Sequence, residues 1–99
     1  MTGQDEIVRV HVWVNGRVQG VGFRAFVQQN AFLIGVTGWV RNVSYNTVEA
    51  VAEGTRTQIE QFLQMVKRGP NASRVDESHE EWEQATGEFR SFGVKFSAY

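Results

Sequence analysis

Three closely spaced glycines mark the part of the sequence best suited to chemistry. Gly16, Gly20 and Gly22 fall within one short segment, and glycine permits positive φ angles and lets a ligand approach the backbone. Successive amide groups in such a loop can point inward and bind an anion. Arg24 follows in the expected first turn of a helix, where a cation opposes the helix dipole. A guanidinium that clamps a phosphate explains this placement, and the alternative is a glycine turn with an exposed arginine.

Two common nucleotide-binding motifs do not account for this loop. A nucleotide P-loop requires Gly-x-x-x-x-Gly-Lys-Ser/Thr, but Val21 stands where the second glycine would follow Gly16, and no lysine comes after it. Residues 20–25 fit the loose dinucleotide pattern Gly-x-Gly-x-x-Ala. The next strands form a hairpin, however, and the chain is too short for the two halves of a dinucleotide fold. The sequence therefore predicts an anion site of another kind.

Asn42 is the second candidate for chemistry. Its side chain has a carbonyl acceptor and amide donors, so it can hold a water molecule. The alternative is a residue that caps a hairpin, because asparagine is common beside turns. His11 and His79 lack the spacing of metal ligands and the chain has no cysteine, so we expect neither a metal site nor a cofactor.

The elements that position these residues follow from the periodicity of apolar side chains. Alternation predicts four strands, over residues 7–15, 36–43, 47–53 and 89–96. Helical spacing predicts two helices, one from Phe23 to Ile34 and one that begins at Thr55 or Thr57 and ends before Gly69-Pro70. The acidic stretch 75–82 is a weaker strand candidate without a clear role. The strands on either side of residues 44–46 must form an antiparallel hairpin, whose turn we expect Asn46 to close in a left-handed conformation.

This order of elements, βαββαβ, is typical of one fold class. It predicts an α+β protein with a ferredoxin-like sandwich, in which an antiparallel sheet carries both helices on one face. A chain of 99 residues has room for one modest core. We therefore expect a single domain over residues 1–99, with a flexible N-terminus at residues 1–6.

Composition and charge exclude several classes of partner. The chain has 10 basic and 11 acidic residues and a net charge of −1, whereas nucleic-acid binders usually carry a basic excess. Residues 22–27 faintly resemble the aromatic RNA-binding strand of an RRM, and Trp13 and Trp39 on an open sheet face offer stacking platforms. The phenylalanines in that stretch follow helical spacing, however. No apolar run approaches the ~20 residues of a membrane span. We expect a cytoplasmic protein with no nucleic-acid or membrane partner.

Two longer motifs point to a family. Residues 16–24, Gly-Arg-Val-Gln-Gly-Val-Gly-Phe-Arg, resemble the phosphate-loop signature of the acylphosphatases, and residues 38–42, Gly-Trp-Val-Arg-Asn, resemble their second signature. The spacing agrees, and similar segments extend the resemblance from about Val8 to Phe96. It implies a metal-free hydrolase of small acylphosphates, which we expect to act as a monomer without a cofactor.

The resemblance also implies residue roles. Arg24 would bind the phosphoryl group together with the loop before it, and Asn42 would position the attacking water. The loop residues are Arg17, Val18, Gln19, Gly20, Val21, Gly22 and Phe23. Two departures stand out: Tyr45-Asn46 replaces the usual Asp-Gly turn, and Val43 stands where some members have threonine.

Acylphosphate hydrolysis suits a motif without acidic residues or histidine. The leaving carboxylate belongs to an acid with a pKa near ~4, so it departs as a stable anion and needs no proton donor. Positioning and charge stabilisation remain as the main demands of phosphoryl transfer. The alternative to an enzyme is a non-catalytic module on the same fold, either an RNA reader or a silent regulatory domain.

Overall fold

Five strands and two helices follow one another in the order β-α-β-β-α-β-β in the computed structural model, which describes residues 6–96. The strands are β1 (Ile7–Arg17), β2 (Thr37–Ser44), β3 (Thr47–Thr55), β4 (Arg74–Gln84) and β5 (Phe92–Val94). The helices are α1 (Phe23–Ile34) and α2 (Arg56–Arg68). Of the predicted flexible segment 1–6, all but Glu6 lies outside the described residues. Neither helix is long and apolar enough to cross a bilayer within the described range.

The strands form a single sheet in the order β4-β1-β3-β2-β5. Strand β1 runs antiparallel to both β3 and β4, and β2 runs antiparallel to β3. Successive side chains of a strand point to opposite faces, so β1 buries Val10, Val12 and Val14 while the residues between them stay partly exposed. The two helices complete the core through apolar side chains that include Phe23, Val27, Ile59 and Phe62. The predicted ferredoxin-like α+β fold is confirmed.

The helix boundaries follow the local signals in the sequence. Helix α1 ends at Gly35, which has a φ of 97° and donates its N–H to the carbonyl of Ala31. Thr55 and not Thr57 is the N-cap of helix α2, because Thr55 forms a reciprocal capping pair with Gln58. The Gln58 amide donates to the Thr55 hydroxyl at 3.2 Å, and the Thr55 amide donates to the Gln58 side chain at 2.9 Å. Two otherwise unpaired donors are satisfied at once.

The turn between β2 and β3 differs from the prediction. No residue other than glycine has a positive φ within residues 6–96, so Asn46 does not adopt the left-handed conformation. The register of the two strands shifts between Asn42 and Ser44 instead, and an extra residue of this kind bends and twists a strand. The carbonyl of Asn46 accepts a hydrogen bond from the Gly16 amide at 2.9 Å. This bond ties the hairpin turn to the end of β1.

The C-terminal third also differs from the prediction. The acidic stretch of uncertain role is the fourth strand, β4, paired with β1 along its length. The final strand covers only Phe92–Val94, not residues 89–96, and it runs parallel to β2. The sheet is therefore mixed and not wholly antiparallel. The cause is topological: β4 ends at the sheet end where β2 begins, so a chain that crosses there enters beside β2 in the same direction.

Candidate active site

The glycine loop (residues 16–22) joins the end of β1 to the start of α1. Gly20 and Gly22 both have a φ of 71°, a conformation that side-chain-bearing residues rarely adopt. A Cβ atom added at either glycine would meet nothing within 4 Å. The conformation, and not the space, therefore requires glycine here, and the backbone of the loop is open to a ligand.

The N-terminus of α1 presents free backbone donors beside this loop. The first hydrogen bond of the helix runs from the Phe26 amide to the Gly22 carbonyl at 2.9 Å. The amides of Phe23, Arg24 and Ala25 precede it, so they have no partner inside the helix. No acidic residue lies in the first turn, and no side chain caps it. These donors, together with the positive end of the helix dipole, favour an anion.

Arg24 is the cationic residue that lines this site. Its side chain lines a cavity of about 360 Å³. None of the ion pairs within residues 6–96 involves Arg24, so no carboxylate of these residues neutralises its charge. The cavity is lined by Val18, Gln19, Gly20, Gly22, Phe23, Arg24, Ala25, Gln28, Asn42 and Val94.

Asn42 reaches the same cavity from β2. It is only 5% exposed, and its side-chain amide donates to the side-chain oxygen of Gln19 at 2.9 Å. The Gln19 amide in turn donates to the backbone carbonyl of Ser44 at 2.8 Å. The side-chain amides of Asn42 and Gln19 are thus both oriented by acceptors on the protein. The Asn42 oxygen accepts no hydrogen bond from residues 6–96, and it is available to a molecule in the cavity.

The other predicted loop residues occupy different places. Arg17 is exposed at the end of β1, opposite Arg74 of β4, and it does not line the cavity. Val21 packs partly against the core. Phe23 is buried, at 2% exposure. Of these three residues only Phe23 lines the cavity, and the roles of all three in phosphate binding stay predictions.

Two functional contacts were missed by the sequence analysis. The side chain of Gln19 links the glycine loop to Asn42, which no spacing rule reveals. Gln28 lines the cavity as well, and its side chain donates to the Phe92 carbonyl at 3.3 Å. Gln28 follows Arg24 by one helical turn, and side chains at this spacing share a helix face. The four-residue spacing from Arg24 is therefore the sequence signal that could have identified Gln28.

Two buried carboxylates lie on the opposite face of the sheet, away from the cavity. Glu49 accepts hydrogen bonds from His11 at 2.6 Å and from Arg41 at 2.7 Å. Burial raises the pKa of Glu49, but these two partners outweigh it and the pKa lies below its usual value. Neither Glu49 nor the other buried carboxylate, Glu53, lines the cavity. The lining contains no carboxylate and no imidazole, so it offers cationic and neutral groups only.

Known proteins are similar to this chain in both sequence and fold. The family model for acylphosphatase matches residues 10–94. The acylphosphatase of Syntrophotalea carbinolica is 51% identical over 89 residues, which make up 90% of this chain and 97% of that protein. The crystal structure of acylphosphatase from Bacillus subtilis has a TM-score of 0.84 at 34% identity and covers 89% of this chain and 98% of its own.

A second solved structure agrees with the first. An acylphosphatase from Coxiella burnetii has a TM-score of 0.84 at 35% identity, and the match covers 96% of this chain and all of that one (100%). The glycine loop, the start of α1 and Asn42 all fall inside the segment that the family model matches. Sequence, fold and site geometry therefore lead to one conclusion, that the chain belongs to the acylphosphatase family.

Proposed function

We propose that this protein hydrolyses the carboxyl–phosphate bond of small acylphosphates to a carboxylate and inorganic phosphate. One observation carries the proposal: Arg24, the free amides at the start of α1 and the oxygen of Asn42 converge on one cavity that has no acidic or imidazole group. Family membership supports the same activity.

Arg24 and the backbone amides bind the phosphoryl group. The three amides at the start of α1 and those of the glycine loop donate to its oxygens, while the guanidinium contributes a full positive charge. Charge builds up on these oxygens in the transition state, and donors that are already oriented stabilise it without reorganisation. The site therefore supplies the electrostatic part of phosphoryl transfer.

Asn42 holds the attacking water. Its amide is committed to Gln19, so its oxygen accepts a hydrogen bond from the water and leaves a lone pair of the water free to attack phosphorus. A new bond forms between the water oxygen and phosphorus while the bond from phosphorus to the acyl oxygen breaks. The electron pair of that bond leaves with the carboxylate. The surplus proton passes to a phosphate oxygen, because the cavity lining contains no base.

The chemistry of the leaving group fits this arrangement. A carboxylate departs with its charge already delocalised, so the cavity needs no general acid. A phosphate monoester would release a much more basic alkoxide, and nothing in the lining can protonate it. We therefore expect acylphosphates to be hydrolysed and simple phosphate monoesters to be left intact.

The proposal is tested by the hydrolysis of benzoyl phosphate in the presence of a chelator. We expect turnover that the chelator does not reduce, and no release of phosphate from ethyl phosphate, whose leaving group is a basic alkoxide, under the same conditions. Absence of benzoyl phosphate turnover would show a non-catalytic module. Turnover that disappears with the chelator would overturn the metal-independent mechanism.

We propose further that residues 1–99 form a single domain that acts as a cytoplasmic monomer, with a small acylphosphate as its partner and no nucleic acid. The net charge of −1 supports the last point, because binding to phosphate backbones depends on an excess of basic residues. Sedimentation analysis tests the monomeric state, and an electrophoretic shift assay with single-stranded RNA tests the expected lack of nucleic-acid binding.

A further inference from the structure

A second concave surface adjoins the phosphate-binding cavity. This basic groove, of about 880 Å³, is lined by Arg24, Arg41, Val94, Lys95 and Phe96. Arg24 and Val94 line the cavity as well, so the two spaces meet at these residues. A substrate whose phosphoryl group sits beside Arg24 has direct access to the groove.

The fold explains why the groove lies beside the site. Arg41 and Asn42 are consecutive residues of β2, so their side chains point to opposite faces of the sheet. Strand β5 ends at Val94, and the Lys95 amide still donates to the Val40 carbonyl of β2. Within residues 6–96, no strand pairs with this edge of β2 beyond Val40. The groove starts at the cavity on the helix face and passes around this edge to the side of Arg41 and Lys95.

The groove is lined by three cations and no carboxylate. The ammonium of Lys95 lies 4.4 Å from the centroid of the Trp39 ring, and the Arg41 guanidinium lies 5.2 Å from it. Arg41 also donates to Glu49, so part of its charge is compensated. Lys95 has no ion pair among the described residues. The Trp39 ring holds both cations at the groove, since a positive charge is attracted to an aromatic face.

The direction of the reaction favours this groove as the site of the acyl group. Phosphoryl transfer sets the attacking and leaving oxygens roughly in line with phosphorus. Asn42 holds the water, and Asn42 lines the cavity but not the groove. The acyl group departs on the side of phosphorus away from the water. Two neighbouring spaces share lining residues with the cavity and lack Asn42. The basic groove shares Arg24, the cation that holds the phosphoryl group, whereas the other space shares only Ala25 and Gln28.

We infer that the basic groove selects acylphosphates whose acyl group carries a second carboxylate, which Lys95 and Arg41 bind while Val94 and Phe96 contact the hydrocarbon between the two ends. The substrate class is therefore the monoacylphosphates of dicarboxylic acids. This inference rests on the proposed function, because it concerns the leaving group of the same reaction. It goes beyond that function by naming the chemistry of the acyl moiety.

The experiment compares benzoyl phosphate with 4-carboxybenzoyl phosphate, which differ by one distal carboxylate. The measured quantity is the ratio of kcat/KM for the carboxylated substrate to kcat/KM for the plain one. We expect the Lys95→Met variant to lower this ratio about two- to fivefold, as the loss of an exposed ion pair would do. Any difference in intrinsic reactivity cancels, because wild type and variant are compared on the same two substrates.

Lys67→Met is the matched control. Lys67 is the only other lysine of the chain, and it pairs with Glu80 of β4, at the opposite edge of the sheet from β5. The control removes the same charge and is expected to keep the wild-type ratio. Arg41→Gln is expected to lower the ratio in the same direction as Lys95→Met.

A salt titration of the wild-type protein adds a measurement that needs no variant. Added salt screens exposed charges, so the wild-type ratio should fall as the salt concentration rises. A ratio that changes neither with salt nor in Lys95→Met would overturn the inference while benzoyl phosphate turnover upholds the proposed function. Turnover of neither substrate would overturn both.

Discussion

The side-chain amide of Asn42 donates a 2.9 Å hydrogen bond to the side-chain oxygen of Gln19. Through this bond, strand β2 and the glycine loop fix each other's position, and Gln19 is itself anchored to the carbonyl of Ser44. The bond also decides which end of the Asn42 amide faces the cavity. Because the donor end is occupied, the acceptor end is left for water.

Replacement of Asn42 tests this assignment. We expect Asn42→Ala to lower kcat for benzoyl phosphate by about a hundredfold or more, the usual effect of removing one polar group that acts on the transition state. Phosphate should still bind, since Arg24 and the amides are untouched. Competitive inhibition by inorganic phosphate measures that binding. An unchanged kcat in this variant would remove Asn42 from the mechanism.

Gln19 is expected to act as a positioning residue. Gln19→Ala leaves the Asn42 side chain in place but frees its orientation, so kcat should fall by about tenfold, a smaller effect than the loss of Asn42 itself. The inhibition constant of phosphate should change little. Gln19→Glu keeps an acceptor for the Asn42 amide but adds negative charge beside the phosphoryl group. This second variant should therefore weaken phosphate binding, and equal phosphate affinity in the two variants would contradict the assignment.

Arg24 should be needed for both binding and turnover. We expect Arg24→Gln to weaken phosphate inhibition and to lower kcat/KM by at least about a hundredfold, because the guanidinium contacts the phosphoryl oxygens in the ground state and in the transition state. Arg24→Lys should recover only part of this loss, since an ammonium cannot form the paired bonds of a guanidinium. Arg68→Gln, on the exposed last turn of α2, is the charge-matched control. A comparable loss in that control would mean that net charge and not contact is responsible.

Glu53 should make the stability of the fold depend on pH. Burial raises the pKa of Glu53, but hydrogen bonds from the Thr86 and Gly87 amides, the Thr86 hydroxyl and Arg9 outweigh it, and the pKa lies below its usual value. A depressed pKa contributes stability above the unfolded pKa, and that contribution is lost as the pH falls through the folded pKa.

The corresponding experiment uses Glu53→Gln and urea unfolding. At about pH 7 we expect a loss of about 1–3 kcal/mol, because the new amide cannot accept from all of these donors. The difference from wild type should shrink as the pH falls through the lowered pKa of the folded Glu53, because the wild-type carboxyl then takes up its proton. Glu77→Gln, an exposed residue of β4, should show neither effect. A difference that does not vary with pH would refute the role of the Glu53 charge.

Gly38 should tolerate no side chain. Its φ is 144°, and a Cβ atom there would overlap the carbonyl of Val51 on the neighbouring strand. We expect Gly38→Ala to lower the free energy of unfolding by at least about 2 kcal/mol through overpacking and backbone strain. Gly93→Ala on β5 is the control, because a Cβ atom meets nothing there within 4 Å. Urea unfolding distinguishes the two variants, and similar midpoints would contradict the steric argument.

The fold could be predicted from the sequence wherever a local signal decides the outcome. The Thr55–Gln58 capping pair and Gly35 predict two helix ends, and the structure confirms both. The predicted conformation of Asn46 and the predicted direction of β5 were wrong, since both features depend on contacts between distant segments. The Asn46 carbonyl is held by the Gly16 amide, and β5 takes its direction from the point where the chain crosses the sheet.

The site shows the same division. The glycine loop and Arg24 are contiguous in sequence, so their chemistry could be anticipated from residue types alone. The bond between Asn42 and Gln19 spans the sheet and the loop, and only the tertiary structure brings the two amides together. The basic groove likewise depends on where β5 ends. The alternation of Phe92, Val94 and Phe96 predicts a strand that continues to residue 96, but β5 ends at Val94. Phe96 is 96% exposed, not part of a paired strand.

The acidic character of β4 has a consequence for how copies of this protein meet. Its outer edge carries N–H and C=O groups that no other strand of residues 6–96 covers, and such an edge invites a strand from another molecule. Five of its side chains are carboxylates: Asp76, Glu77, Glu80, Glu81 and Glu83. Two such edges repel each other at neutral pH, so the strand guards the protein against aggregation.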